Sequence, residues 1–301
     1  MLYVVIPYVA VTVIFTVLQR RLIYRPTVSA RGLLAGTQFA PHSADDITIL
    51  SHDRLELNGW RIQSATRPAE SPASLVIYFP GNAANRGARR EDVVEFARLG
   101  FDVLIVDYRG YGENKGSPTE DDLTRDARAV WDAALGNWGY RPEAIVLFGE
   151  SLGGAVAIRL AADLSAADSF PAAVVVASTF TSLPDVAAWA YPAFPFRHLL
   201  FDRFDSLSQI GKVRSAIAII HGDSDDLVPV EQGRRLFASA REASASGRPK
   251  LLDVRPGMGH NDIPAGVVSR ILIGLLPADR QGEAIETGRF SGESGSTLPM
   301  K

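Results

Sequence analysis

One serine in this chain lies in a pattern that activates serine for attack on carbonyl carbons. Residues 149–153 read Gly-Glu-Ser-Leu-Gly, between the apolar residues 144–148 and the alanine-rich residues 155–162. This order predicts a strand, a tight turn centred on Ser151 and a helix, and the glycines leave room for the turn. A serine hydroxyl at the start of a helix faces free N–H groups that favour a developing oxyanion. We therefore predict that Ser151 is the nucleophile of an acyl-transfer reaction.

The base that such a serine requires is expected late in the chain. A histidine activates the serine and a carboxylate orients the histidine; after a turn of this type the chain order is serine, acid, histidine. His260 satisfies that order, because it lies in the glycine-rich residues 256–262. These residues follow the strand-like residues 251–254. We predict that His260 is the base.

A second histidine, His221, ends the apolar residues 217–220. It precedes the three candidate acids, Asp223, Asp225 and Asp226, so its position in the chain does not suit the base. We expect it to pack in the interior and to hydrogen-bond within its turn. The residues alone leave the choice among the three aspartates open.

Short motifs distributed over about residues 20–276 give the chain a resemblance to a known family. The chain resembles the α/β-hydrolase superfamily in its serine aminopeptidase-like branch, including membrane-anchored α/β-hydrolase-domain proteins of the palmitoyl-protein thioesterase type. The motifs lie at residues 81–82, 107–112, 149–154, 179–182, 221–229 and 259–262. The resemblance implies an α/β-hydrolase fold and a serine hydrolase, and it does not fix a substrate.

The resemblance also selects among the aspartates. Residues 221–229 are similar to the family's His-Gly-x-x-Asp-x-x-Val-Pro segment, which implies that Asp225 is the acid. Asp223 is then expected to form the turn, and Asp226 to be solvated or to cap a helix.

The oxyanion hole is expected from two backbone N–H groups. One belongs to Leu152, directly after the nucleophile, and the other to Asn82, after the strand-like residues 75–79. Relatives usually carry His-Gly-Asn-Ala-Gly-Asn in this loop, whereas Pro80 and Ala84 replace the histidine and the second glycine here. Both departures leave the Asn82 backbone donor in place, and Pro80 removes the histidine side chain.

Strand-like segments alternate with helix-like segments along the chain, which predicts a mostly parallel central sheet with helices on both faces. Ligands of such sheets bind beyond the carboxyl ends of the strands. The predicted site residues all follow strand ends, so we expect them to converge on one edge. Residues 179–210 are rich in aromatic residues and proline, and we predict that they form a short lid with an apolar acyl pocket.

The N-terminal residues 2–19 carry no charged side chain and are nearly all apolar. At about 1.5 Å per residue, a helix of this length just spans a hydrocarbon core of about 30 Å. A basic segment before the run and a small-residue cleavage site after it are both missing, which disfavours a cleaved signal peptide. We predict one transmembrane anchor at residues 1–19. Arg20, Arg21 and Arg25 follow it, so the positive-inside rule places the catalytic domain in the cytoplasm.

Length and composition suit one globular domain with two additions. In the chain of 301 residues we assign residues 20–280 to an α/β-hydrolase domain and residues 281–301, rich in Gly, Ser, Glu and Thr, to a disordered tail. The net charge of −3 gives no footprint for nucleic acid. The absence of cysteine excludes cysteine nucleophiles and thiolate metal sites. We expect neither a cofactor nor a metal.

Together these features predict a membrane-tethered serine hydrolase. It would cleave a carboxylic ester or thioester through Ser151, Asp225, His260 and an acyl-enzyme, on a small-molecule, lipid-like or acylated substrate. Two alternatives remain open: an aminopeptidase-like amide hydrolase, and a non-catalytic membrane-tethered binding protein on the same fold. The sequence does not fix the oligomeric state.

Overall fold

The computed structural model describes residues 2–28, 39–67 and 73–275. The predicted tail at residues 281–301 lies outside these ranges, and so does the end of the predicted hydrolase domain at residues 276–280. The boundaries assigned to the three segments of the chain therefore stay predictions.

A mostly parallel sheet forms the centre of the fold. The strands are β1 Arg25–Pro26, β2 Ser43–Leu50, β3 Glu56–Gln63, β4 Ser74–Phe79, β5 Ala83–Ala84, β6 Phe101–Val106, β7 Ile145–Glu150, β8 Ala173–Ala177, β9 Ala216–Gly222 and β10 Leu251–Arg255. Eight of them form one sheet in the order β10-β9-β8-β7-β4-β6-β3-β2, and β1 pairs with β5 separately. The pairings β2–β3 and β3–β6 are antiparallel. Strands β4, β6, β7, β8, β9 and β10 run parallel to one another, so their carboxyl ends meet at one edge.

Helices cover both faces of this sheet. They are α1 Leu2–Ile23, α2 Arg90–Arg98, α3 Glu120–Gly136, α4 Leu152–Ala166, α5 Leu183–Ala190, α6 Phe196–Leu199, α7 Ser206–Ile210, α8 Val230–Ser239 and α9 Ala265–Leu275. Successive side chains of a strand point to opposite faces, and β4 shows the result. Its Ile77 lies in one core with Trp131 of α3, whereas Tyr78 lies in a second core with Phe96 of α2. Burial on both faces holds the strand ends in fixed positions.

Helix α1 is long and apolar enough to cross a membrane. The stretch Tyr3–Ile23 has a mean hydropathy of 1.6, and only 6% of its most apolar part is buried inside the protein. The helix continues to Ile23, beyond residue 19, where the sequence places the end of the anchor. One side of the helix packs on the rest of the chain, and Phe15 and Ile23 contact a small core formed by Ala187, Phe196 and Leu200.

The segment between β8 and β9 carries the short helices α5, α6 and α7, at the position predicted for the lid. Helix α5 begins after Ser182, whose side-chain oxygen accepts a hydrogen bond from the Asp185 N–H at 3.2 Å. This N-cap satisfies one of the amide groups that the first turn of a helix leaves unpaired. We refer to this segment, residues 179–210, as the lid; it starts at a fixed point directly after β8.

Candidate active site

Ser151 occupies a sharp turn between β7 and α4, as the sequence pattern predicts. Its backbone angles, φ 51° and ψ −114°, lie in a strained region for a residue other than glycine. A Cβ atom at Gly149 would lie 2.3 Å from the Gly153 oxygen, and one at Gly153 would lie 1.9 Å from the Phe79 oxygen. Both positions therefore require glycine, which explains the spacing of the motif.

Ser151, His260 and Asp225 form one hydrogen-bonded row. The Nε2 atom of His260 is 3.0 Å from the Ser151 Oγ, and its Nδ1 atom is 2.8 Å from the Asp225 Oδ2. The three residues follow β7, β10 and β9, whose carboxyl ends share one edge of the sheet. The order of contacts is that of a nucleophile, a base and an orienting carboxylate.

Asp225 is buried and holds its charge through its hydrogen bonds. Its Oδ1 atom accepts the N–H groups of Leu227 at 3.0 Å and Val228 at 2.7 Å. Burial by itself would raise the pKa of Asp225, but hydrogen bonds from His221, His260 and the Val228 N–H outweigh it and hold this pKa well below its usual range. Asp225 therefore faces His260 as an ionised carboxylate at neutral pH.

The two neighbouring aspartates lie elsewhere. Asp223 is exposed, and its Oδ1 atom accepts the Gly257 N–H at 2.7 Å, which joins its turn to the loop that carries His260. Asp226 is exposed as well. Of the three aspartates that follow β9, Asp225 is thus the one in contact with the His260 ring.

His221 is fully buried at the end of β9, below Asp225. Its Nε2 atom lies 2.8 Å from the Val228 oxygen, within its own turn, and 3.3 Å from the Asp225 Oδ2. It therefore contacts the same carboxylate oxygen as His260 from the interior of the protein. This second contact was not expected from the sequence, although His221 lies in the same motif as Asp225, at residues 221–229.

The loop after β4 passes beside the nucleophile. A Cβ atom on Gly81 would lie 3.7 Å from the Ser151 Cβ, so the chain approaches the serine closely. Asn82 and Leu152 line the same cavity as Ser151. Leu152 opens helix α4, where the first N–H groups have no intrahelical partner. The two residues predicted for the oxyanion hole are thus adjacent to Ser151.

Two tyrosine hydroxyls hydrogen-bond to the backbone of this loop. The Tyr108 hydroxyl donates to the Pro80 oxygen at 2.8 Å, and the Tyr111 hydroxyl donates to the Asn82 oxygen at 2.8 Å. Both tyrosines lie in a motif that carries the family resemblance, and the sequence alone gave them no role. The signal that pointed to them was their place in residues 107–112, directly after a buried strand.

Glu150, the residue before the nucleophile, is fixed by two side chains. Its Oε2 atom accepts from the Tyr78 hydroxyl at 3.0 Å and lies 3.0 Å from the Nε atom of Arg89. The partners come from β4 and from the turn before α2, so they tie the end of β7 to its neighbours. No motif in the sequence indicates these contacts of Glu150.

An apolar cavity of about 210 Å³ adjoins Ser151. The lid contributes Leu183, Val186 and Tyr191 to its lining, and the turn after Asp225 contributes Leu227. Helix α1 contributes a further part of the wall through Phe15, Leu22 and Ile23. A cavity lined mainly by apolar side chains, with a serine hydroxyl at its side, suits the apolar part of an ester-like ligand.

One group of potential metal ligands occurs among the described residues, formed by His52, Asp53 and Asp122. None of them lines the cavity at Ser151. The Arg109 guanidinium lies 3.1 Å from Asp53 and 3.3 Å from Asp122, so a cation already faces these carboxylates. The group carries no argument for metal chemistry.

Comparison with protein families matches residues 70–205 to the family described as serine aminopeptidase, S33. The matched residues include Asn82, Ser151 and Leu152. They end before Asp225 and His260.

Similar proteins occur in bacteria, archaea and humans. The chain is 42% identical over 258 residues to an uncharacterized protein of Mycobacterium tuberculosis, and the match covers 86% of this chain and 85% of that relative. It is 32% identical over 191 residues to the human alpha/beta hydrolase domain-containing protein 17B, over 62% of this chain and 60% of the relative. An esterase from Pyrococcus furiosus superposes with a TM-score of 0.66 at 22% identity, over 85% of this chain and 98% of the esterase. At that identity the likeness concerns the fold.

Proposed function

The chain belongs to the α/β-hydrolase superfamily, and on that basis we propose that it is a serine hydrolase that cleaves carboxylic esters or thioesters. One observation carries the proposal. The His260 ring is hydrogen-bonded to Ser151 on one side and to the buried Asp225 on the other, beside an apolar cavity. A binding protein has no need of a serine held in this way.

In the first half of the proposed reaction, His260 accepts the proton of the Ser151 hydroxyl at Nε2. The serine oxygen attacks the carbonyl carbon, and the carbonyl oxygen becomes an oxyanion that accepts hydrogen bonds from the N–H groups of Asn82 and Leu152. His260 then gives its proton to the departing alcohol or thiol. The acyl group remains bonded to Ser151 as an ester.

In the second half, His260 accepts a proton from water, and the resulting hydroxide attacks the acyl-enzyme. The tetrahedral intermediate again places its oxyanion between Asn82 and Leu152. When it collapses, the proton returns through His260 to the Ser151 oxygen, and the carboxylic acid leaves. In both halves Asp225 keeps the His260 Nδ1–H oriented and stabilises the imidazolium.

Ester or thioester cleavage agrees with the lining of the cavity better than amide cleavage of a peptide. The wall beside Ser151 is apolar, with side chains such as Leu183, Val186 and Tyr191, which suit an acyl chain. An aminopeptidase would have to bind a charged terminal amine beside the same serine. The acidic partner that such an amine requires is not among the described residues that line this cavity.

We also assign helix α1 to a single-pass membrane anchor. The stretch Tyr3–Ile23 supports this by its length and apolar character, and Arg20, Arg21 and Arg25 at its end favour a cytoplasmic hydrolase domain. Protease added outside intact spheroplasts should leave the domain uncut, and should cut it after the membrane is permeabilised. Cleavage of the domain in intact spheroplasts would contradict this orientation.

The test of the proposed reaction is Ser151→Ala. Loss of the nucleophile is expected to lower kcat for p-nitrophenyl esters by about a millionfold and to abolish labelling by a fluorophosphonate probe. The panel should include p-nitrophenyl esters of rising chain length, acyl-thioesters and aminoacyl anilides, so that it also separates ester, thioester and amide cleavage.

The matched control is Ser224→Ala. Ser224 is exposed in the turn that carries Asp225, and its hydroxyl contacts only Asp223 among the described residues. This variant should keep both turnover and labelling. Undiminished hydrolysis by Ser151→Ala, or a wild-type protein that neither turns over the panel nor reacts with the probe, would falsify the proposed function.

A further inference from the structure

Helix α1 forms part of the cavity at the nucleophile. Phe15, Leu22 and Ile23 of α1 line the same apolar space as Ser151 and Leu152. From Phe15 to Leu22 the helix rises about 10 Å at 1.5 Å per residue, so it follows the cavity for that length. The segment that reads as a membrane anchor is therefore also a wall of the site.

Aromatic stacking fixes this wall against the lid. The ring of Phe15 stacks on Phe196 with centroids 3.7 Å apart, and the ring of Tyr8 stacks on Phe194 at 5.0 Å. Gln19 is buried between the two segments. Its amide nitrogen donates to the Leu199 oxygen at 3.1 Å, and its amide oxygen accepts the Phe201 N–H at 2.7 Å. These contacts set the helix at a defined position beside the cavity.

The end of α1 is also hydrogen-bonded to the loop after β4, which carries Asn82. The Asn82 side chain donates to the Ile23 oxygen at 2.6 Å, and the Arg25 N–H donates to the Asn82 oxygen at 2.9 Å. Asn82 therefore contacts Ile23 of the helix through its side chain and Arg25, just after the helix, through its carbonyl. Its N–H is the donor proposed for the oxyanion.

The mouth of the cavity lies between α1 and the lid. Three residues that line the cavity are also about half exposed: Leu22 at 51%, Tyr191 at 48% and Leu227 at 51%. Trp189 and Phe201 of the lid are exposed nearby in the chain, at 59% and 63%. Exposed aromatic side chains beside an apolar helix are typical of the membrane interface.

From these observations we propose that α1 is the acyl-binding wall of the site, and that the substrate is an ester or thioester whose long acyl chain is lodged in the membrane. The inference rests on the proposed function. The chain enters laterally, between Leu22 and Tyr191, and its carbonyl reaches Ser151 while the tail stays against α1.

The dimensions agree with this route. A cavity of about 210 Å³ is larger than an apolar cavity of about 150 Å³ that holds a benzene ring, so it accommodates several carbon atoms next to the carbonyl. A longer chain must extend past the mouth. There it meets the apolar side of α1 and the aromatic lid instead of water, which is favourable for each methylene group that stays buried.

The experiment narrows the mouth without touching Ser151, Asp225 or His260. Leu22→Trp adds bulk at a half-exposed position of the cavity, and Val17→Trp adds the same bulk at a position of α1 that is 73% exposed and does not line it. The full-length protein is placed in phosphatidylcholine vesicles. The kcat/KM values for p-nitrophenyl butyrate and palmitate are then compared as a ratio.

Each methylene group kept from the pocket costs about fourfold in binding, so we expect Leu22→Trp to lower the palmitate-to-butyrate ratio about tenfold. Val17→Trp should keep the wild-type ratio. An unchanged ratio in Leu22→Trp, or an equal fall in both variants, would overturn this inference. The proposed function would still stand as long as turnover depends on Ser151. Turnover that survives Ser151→Ala would instead remove the proposed function.

Discussion

The cavity at Ser151 has two sides that differ in the chemistry of their side chains. The reaction side consists of Ser151, His260 and Asp225, joined by hydrogen bonds of 2.8 Å and 3.0 Å. The binding side consists of the walls supplied by helix α1 and the lid, where the contacts are apolar. The reaction side depends on three side chains at fixed distances, whereas the binding side depends on the shape and area of a surface.

This difference follows from the interactions themselves. A hydrogen bond weakens steeply when its geometry departs from the optimum, so each group of the reaction side tolerates little change. Apolar burial is non-directional and scales with area, so one side chain of the binding side can be replaced by another of similar volume. Substitutions on the reaction side should therefore affect all substrates alike, and those on the binding side should alter the preference among acyl chains.

The largest effect that tests this contrast is expected for Asp225→Asn. The amide no longer holds His260 in the productive tautomer, so kcat should fall by about four orders of magnitude for short and long esters alike. Rates for p-nitrophenyl butyrate and palmitate measure it. Asp226→Asn, at the exposed neighbouring position, is the control and should leave both rates unchanged. A loss confined to palmitate would contradict the division into two sides.

The same variant has a second readout in the pH dependence of stability. The pKa of Asp225 in the folded protein lies below its unfolded value of about 3.9, so its contribution to stability is present above about pH 4. It is lost as the pH falls from there toward the folded pKa. The difference in free energy of unfolding between wild type and Asp225→Asn should therefore shrink with acidification, measured by denaturant titration. A difference that grows below about pH 4 would show that Asp225 is not held as a stabilised carboxylate.

The local features of the fold could be predicted from the sequence. The glycines at 149 and 153 specify a turn that only glycine permits, and the adjacent apolar runs specify the strand and the helix. The parallel strands also follow from the alternation of segments. The antiparallel pairing of β3 with β2 and β6 was not predicted, because periodicity identifies a strand without identifying its neighbour.

The apolar pocket under the lid was predicted from residues 179–210, but the contribution of α1 to the binding side could not be predicted in the same way. Phe15 and Phe196 are far apart in the chain, and neither lies in a motif that indicates the other. The apolar residues of α1 all suit a membrane, so the sequence does not distinguish Leu22, which lines the cavity, from Val17, which does not. Apolar contacts leave no characteristic spacing, whereas glycine, serine and histidine at a reactive turn do.

The smallest effect we expect concerns the junction between the helix and the lid. Arg20 donates to the buried Asp202 through Nε at 2.9 Å and Nη2 at 3.2 Å, and Tyr24 donates to the same carboxylate at 3.1 Å. Because the Arg20 side chain is 48% exposed, the pair contributes only about 1 kcal/mol to the docking of α1, or about a fivefold change in an equilibrium. Arg20→Ala should therefore lower the palmitate-to-butyrate ratio of kcat/KM about fivefold and leave fluorophosphonate labelling of Ser151 intact.

Arg21→Ala is the matched control for this junction, since Arg21 has the same charge one position later and no ion-pair partner among the described residues. It should keep the wild-type ratio. Equal effects of the two variants would mean that the positive charge beside the membrane matters, and that the contact with Asp202 does not. If labelling of Ser151 fell in Arg20→Ala and not in Arg21→Ala, α1 would also position the reaction side, through the hydrogen bond between Asn82 and Ile23.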